Sequence, residues 1–256
     1  APALREEVVS GGPPKDGIPS IDNPKFESAA DADARLSSND IVFGLSINGE
    51  AKAYPQNILV WHEICNDEIA DIPLSVTYCP LTGTVLGFER GRTTFGVSGR
   101  LVNNNLIMYD RGTERWWPQV LATSIPSPWN SDRSSRSLRE HRLVWTTWEQ
   151  WRNLHPDTTV LSEETGFARN YTGDPYGRYD HPDRSGYYAP ASSPMFQSLS
   201  NDDSYPPKTV FIGARSSEGA VAFQKDALRQ QELIEGDLAG TPVLAVYDPR
   251  LDTGYV

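Results

Sequence analysis

Apolar residues in this chain come in short runs of strand length separated by turn-forming residues, and the first clear run is Ile41-Val42-Phe43-Gly44-Leu45. Asn48-Gly49 follows, then Ala51-Lys52-Ala53-Tyr54. Two such runs joined by Asn-Gly predict a β-hairpin, because that dipeptide tolerates positive φ at both central positions. Pro55 then stands where a helix can begin, and Ile58, Leu59, His62 and Cys65 or Asn66 recur at helical spacing, which predicts a short helix through Glu63. Leu74 to Tyr78 reads as a strand ending at Cys79-Pro80, since proline stops ladder pairing and turns the chain through Leu81-Thr82-Gly83. Further strands are predicted at Val85 to Phe88, Thr93 to Val97 and Leu106 to Tyr109, with an aromatic patch at Trp116-Trp117. Ser124 to Arg139 reads as a surface loop and Leu143-Val144-Trp145 as a strand. Thr147-Trp148-Glu149-Gln150 has the capping-box form that opens a short helix to Leu154, ended by His155-Pro156. The expected fold class is α+β, predominantly β, with antiparallel sheets, a few short helices and long irregular loops.

The flanking stretches differ in kind. Residues 1–40 are rich in Pro, Gly, Asp, Ala and Ser, with Gly11-Gly12-Pro13-Pro14 and Asn23-Pro24 as breakers, and read as an extended arm. From Thr165 to Tyr205 the chain is dominated by Gly, Pro, Asp, Ser and Tyr, a long excursion of the kind that is uncommon unless it is functional or wraps a partner surface. Regularity returns at Thr209. There Phe211 to Pro249 resembles Val42 to Pro80 at a constant offset over its second part. Ala51 meets Ala220, Ala53 meets Ala222, Tyr54 meets Phe223, Glu63 meets Glu232, Pro73 meets Pro242, Tyr78 meets Tyr247 and Pro80 meets Pro249. An internal duplication is therefore expected, dividing the chain into the arm (1–40), a first β-rich module (41–208, with the long loop 165–205) and a partial second copy (209–256). The second copy has Gln231 where the first has His62 and Asp248 where it has Cys79, so only the first carries that pair.

Composition narrows the partners. A net charge of -11 without a basic cluster repels phosphate backbones and argues against nucleic acid. No window approaches the ~20 apolar residues needed to cross a bilayer as a helix. Arg outnumbers Lys 18 to 5 and Asp outnumbers Glu 19 to 15, a bias that suits a halophile's hydrated acidic surface and, for its Arg part, a GC-rich genome equally. The opening Ala-Pro-Ala, without Met, is read as either a processed or a trimmed end, and export to an extracellular or cell-surface setting is expected. The two cysteines, Cys65 and Cys79, fit no Cys-x-x-Cys spacing; they form one disulfide or stand as independent thiols.

Gly49-Glu50-Ala51-Lys52-Ala53-Tyr54-Pro55, Trp61-His62-Glu63-Ile64, Thr77-Tyr78-Cys79-Pro80-Leu81-Thr82-Gly83-Thr84, Phe95-Gly96-Val97-Ser98-Gly99 and Met108-Tyr109-Asp110-Arg111 together resemble the family catalogued as domain of unknown function 3179. Thr146-Thr147-Trp148 and His155-Pro156-Asp157-Thr158 fit it too, and the resemblance runs from Asp16 onward. It implies almost nothing about mechanism. It does imply haloarchaeal relatives, a second cysteine in many bacterial relatives where this chain has Thr82, and a Cys65 position that is often aliphatic, which counts against an obligatory disulfide.

The distinctive chemistry is the pair His62 and Cys79. Imidazole and thiolate meeting at one site suit a copper-type metal centre, with Met108 as a thioether ligand, or an activated catalytic thiol. A second imidazole would be His155, His141 or His181; the first is more simply a helix-ending residue and the others lie in polar loops. Glu63, Arg100, Asp110 and Arg111, with Asn103-Asn104-Asn105 nearby, form a candidate ligand-binding set in which arginine orients a carboxylate or other anion. Asn170-Tyr171-Thr172 matches the glycosylation sequon. The expected function is an exported protein with a His62/Cys79 redox site, copper or thiol; the alternative is a non-catalytic extracellular module that binds a protein partner or self-associates.

Overall fold

Asn48 and Gly49 both take positive φ, 52° and 88°, and join the two longest early strands in the manner their sequence requires. A computed structural model describes residues 2–177, 185–200 and 202–256. The arm is less extended than its composition suggests. It opens with a 3-10 helix, Pro2–Glu7, followed by β1 (Val9–Ser10), β2 (Phe26–Ser28) and a one-turn helix α1 (Ala29–Ala32) capped by the Ser28 hydroxyl. The hairpin is β3 (Ile41–Ile47) and β4 (Glu50–Pro55), and the helix after Pro55 is α2 (Gln56–His62). Next come β5 (Ile64–Ile69), β6 (Ile72–Cys79), β7 (Thr84–Glu89), β8 (Phe95–Val102), β9 (Asn105–Asp110) and β10 (Trp116–Pro118). The middle of the chain holds β11 (Glu140–Arg142), β12 (Val144–Thr147), α3 (Trp148–Leu154) and β13 (Thr159–Leu161). The last stretch contains β14 (Phe211–Arg215), β15 (Ala220–Gln224), α4 (Lys225–Gln231), β16 (Leu233–Leu238), β17 (Thr241–Asp248) and β18 (Thr253–Tyr255). The architecture is α+β and mostly strand, and the ladders are antiparallel except where β13 lies parallel to β4.

Three sheets stack to build the part that holds the candidate site. The middle one, ordered β11-β7-β6-β5, faces β12-β3-β4-β13-β2 on one side and β1-β8-β9-β10 on the other. Side chains alternate across β6 with a period of two. Leu74, Val76 and Tyr78 join Phe43, Leu45, Tyr54, Ile58 and Leu59 in one core. Ser75, Thr77 and Cys79 point the other way, and Cys79 packs with Ile64, Phe88, Phe95, Leu106, Met108 and Trp117. Cys65 pairs with Val76 across the ladder and so belongs to the first core. The two cysteines therefore lie on opposite faces of one sheet, and both are free thiols.

β5 was not foreseen in the apolar pattern because half of it is polar, and its two buried polar residues, Asn66 and Asp67, are satisfied by distant partners. Asp67 accepts from Lys52 Nζ (3.0 Å) and Tyr54 Oη (2.7 Å), while Asn66 bonds Ser75, Asp22 and the backbone of Phe95. In α3, Thr147 caps Gln150 N as its sequence predicts, but the Gln150 carbonyl accepts from the Thr146 and Thr147 hydroxyls. Gly44 is required by packing: a Cβ there would lie 2.1 Å from the Trp151 ring.

α4 ends, as α2 does, on a left-handed glutamate: Glu63 has φ 57° and Glu232 has φ 63°. The pairing around the two helices differs, since β3-β4 belongs to the five-stranded sheet whereas β14-β15 is a two-stranded sheet and β16-β17-β18 a three-stranded one. No helix among the described residues is long and apolar enough to cross a membrane.

Candidate functional site

The backbone at Glu63 places the site. After α2 the chain reverses through left-handed Glu63 straight into β5, and Tyr78 N donates to Glu63 O at 2.7 Å, tying the helix end to the end of β6. His62 and Cys79 are thus brought to the same end of the middle sheet, but their side chains find different partners. The imidazole is fully buried. Its Nδ1 is 2.8 Å from Pro19 O, which can only accept, so Nδ1 carries the proton and Nε2 accepts from the Tyr171 hydroxyl at 2.7 Å. Thr165 Oγ1 lies 2.6 Å from that same phenol, and the Phe167 ring leans on the imidazole at 5.3 Å. Burial lowers the His62 pKa, the Pro19 carbonyl raises it and Arg169 lowers it again, with a net fall. His62 is a neutral ring fastening the arm to the loop at 165–171.

Cys79 faces a different set of groups. Its sulfur accepts from Leu106 N at 3.3 Å and lies 3.6 Å from Asn104 O. Burial pushes the thiol pKa up and the Glu63 carboxyl pushes it further, against the Thr82 hydroxyl and amide and the Leu106 amide, which favour the thiolate. Glu63 is 8% exposed and, among the described residues, receives no hydrogen bond at its carboxyl; burial raises its pKa to about 8. Tyr176, Tyr187 and Lys208 complete the surroundings. Burial raises the Tyr176 pKa well above the usual phenol value, with Glu63 and Cys79 adding to it, and Cys79 contributes to the rise at Tyr187 as well. The Lys208 ammonium sits over the Tyr187 ring at 3.3 Å, and burial lowers its pKa to about 8 although Cys79 opposes the fall. A cleft of about 200 Å³ lined by Gly17, Ile18, Val60, Trp61, Arg169 and Tyr176 opens beside this cluster.

The remaining predicted residues separate. Met108 is fully buried in the same apolar cluster as Cys79, so two soft sulfur donors share one environment. The expected third ligand, His62, has both nitrogens engaged, and among the described residues no three His, Cys, Asp or Glu side chains are grouped to hold a metal ion. Arg100 is exposed on β8. Asp110 is buried and accepts from Thr113 Oγ1 at 2.6 Å and Trp117 Nε1 at 2.8 Å, whereas Arg111 pairs with Asp16 and Asp22 of the arm. Neither joins Glu63 in a common set. His141 bonds Glu89 at 2.8 Å, His155 stacks on Trp151 at 4.0 Å, and His181 lies outside the described residues. Asn170 is exposed and accepts from the Thr172 hydroxyl at 2.7 Å.

Sequence reasoning missed Tyr176, Tyr187 and Lys208. The only signal was the tyrosine content of the long excursion, which marks the region without naming the residues. Asn103 and Asn104, read as part of an anion-orienting group, instead bond the backbone of Leu199 and Phe196 in that same excursion.

Comparison with known proteins adds a family and no activity. Neither a curated protein nor a solved structure matches the chain. A family model described as "Protein of unknown function (DUF3179)" matches residues 15–255. With nearly its whole length covered, the chain belongs to the DUF3179 family.

Proposed function

We propose that the protein works through a single buried thiol, Cys79, whose ionisable neighbour is Glu63 rather than His62. What supports this reading is the effect of the Glu63 carboxyl on the buried Cys79 thiol, with Tyr176 responding to both groups and Tyr187 and Lys208 to the sulfur. Near neutrality the Glu63 carboxyl holds its proton, so it adds no negative charge beside the sulfur. Once ionised it is a base next to a thiol. The Met108 thioether in the same cluster makes copper(I) the metal such a sulfur would take, with Cys79 and Met108 as ligands. His62 then acts as a positioning residue through Pro19 and Tyr171.

Iodoacetamide reaction at Cys79, followed across pH by peptide mass spectrometry, tests the assignment. Glu63→Gln removes the charge that opposes thiolate formation and moves the half-reaction pH of Cys79 downward. A profile that ignores Glu63→Gln but shifts with His62→Ala overturns it. Titration with copper(I) of the wild type, Cys79→Ser and Met108→Leu addresses the metal form: one ion lost in either variant supports it.

A second reading, a partner-binding or self-associating module, draws on the last sheet. Leu233, Val246 and Tyr255 stand side by side across β16, β17 and β18 with 47%, 41% and 39% exposure. Light scattering of the wild type and of Val246→Lys distinguishes it; a monomer at every concentration and salt counts against self-association.

We also infer that the stretch from β14 to β18 descends from a duplication of β3 to β7. Supporting this are the matching order, the equal lengths of α2 and α4, and the repeated bond from Tyr78 N to Glu63 O as Tyr247 N to Glu232 O. Loss of the thiol and imidazole from the later copy leaves Cys79 as the chemical centre.

A further inference from the structure

We propose that residues 185–200 form a latched cover over Cys79, with Asn103 and Asn104 of the β8–β9 turn as the latch. Cys79 is 1% exposed, and this segment is tied to the chain just beyond it. Tyr187, in the 3-10 helix Gly186–Tyr188, donates to Leu81 O at 3.0 Å, two residues beyond Cys79. Tyr188 is buried against the core with its hydroxyl 3.3 Å from Tyr78 Oη. Farther along, Asn104 Nδ2 donates to Phe196 O at 3.0 Å and Asn104 Oδ1 accepts from Phe196 N at 2.9 Å. Asn103 Oδ1 accepts from Leu199 N at 2.9 Å.

One residue therefore touches both parts. The backbone carbonyl of Asn104 is the acceptor beside the Cys79 sulfur while its side chain clamps the cover. The outer part of the segment is held by these bonds more than by apolar burial, since Met195 is 55% exposed and Leu199 47%. Segments with few buried apolar contacts open locally, below the free energy of global unfolding. Asn103 and Asn104 have φ of 49° and 62°, values glycine adopts at no steric cost, so Asn→Gly deletes the latch and keeps the turn. The inference gives the regulation of the thiol site and rests on Cys79 being the working sulfur.

Iodoacetamide labelling of the full chain provides the test, with Cys65 as an internal standard because it is buried on the opposite face of the sheet. Asn104→Gly speeds Cys79 labelling about 10- to 100-fold, and Asn103→Gly by a smaller factor, as expected for losing two hydrogen bonds and one. Cys65 keeps its wild-type rate in both variants. Unchanged Cys79 rates, or Cys65 accelerating in step with Cys79, overturn the cover. If Asn104→Gly fails to fold, Asn103→Gly with the Cys65 comparison decides alone. The latch variants change the rate at every pH, whereas Glu63→Gln moves the pH profile, so failure of the cover and failure of the thiol reading are told apart.

Discussion

Glu63→Gln has a stability signature as well as a chemical one. In an unfolded chain this carboxyl titrates near 4.5, and in the folded protein burial raises it to about 8. The folded state thus holds the proton more tightly, and its contribution is complete below about pH 4.5 and lost as pH rises toward the folded value. The slope is about 1.4 kcal/mol per pH unit, giving a loss of about 3 kcal/mol by pH 7 and about 5 kcal/mol above pH 8 at most, since water entering around an ionised carboxylate relieves part of it. Glutamine is neutral in both states and tolerates the left-handed backbone about as well as glutamate. The variant should therefore match the wild type near pH 5 and exceed it progressively toward pH 8, and subtraction removes every other titrating group. Urea unfolding at half-unit steps from about pH 5 to about pH 8.5 measures the difference. Parallel curves would refute the claim that the Glu63 carboxyl is buried and unpartnered.

His62 gives the opposite slope. Its pKa is lowered by burial from 6.5, so the folded protein loses stability as pH falls below about 6.5, and His62→Gln flattens that acid limb in the same urea series. Gly44→Ala drives a Cβ into the Trp151 ring and should cost about 3 kcal/mol or more, read as a large fall in the thermal midpoint; a near-neutral result would mean that α3 is not seated against β3 as described. Asn170 is exposed within its sequon, so expression through an N-glycosylating secretory pathway should add one glycan that Asn170→Gln abolishes, visible by intact mass.

Much of the scaffold was legible because local rules govern it. Asn48-Gly49 dictates the hairpin, Pro55 starts α2, and Pro80 ends β6, each by backbone chemistry alone. β5 was hidden because Asn66 and Asp67 look like loop residues until Lys52, Tyr54 and Ser75 are known to meet them. The motif containing His62 and Cys79 falls at one end of the middle sheet, yet sequence proximity does not reveal which way a side chain turns. The left-handed step at Glu63 separates the imidazole from the sulfur and brings the carboxylate into the pair's place. Lys208 and Tyr187 arrive by tertiary folding from more than a hundred residues away, and no spacing rule connects them to Cys79.

The start of the chain is woven into the interior. Ile21 is fully buried, bridges Cys65 in parallel, and lies two residues after Pro19, whose carbonyl holds His62. The imidazole is consequently a built-in gauge of whether that leading segment is docked: its ring resonances should titrate at a depressed pH while residues 19–21 stay in place, and return toward ordinary histidine behaviour in any chain that has let them go.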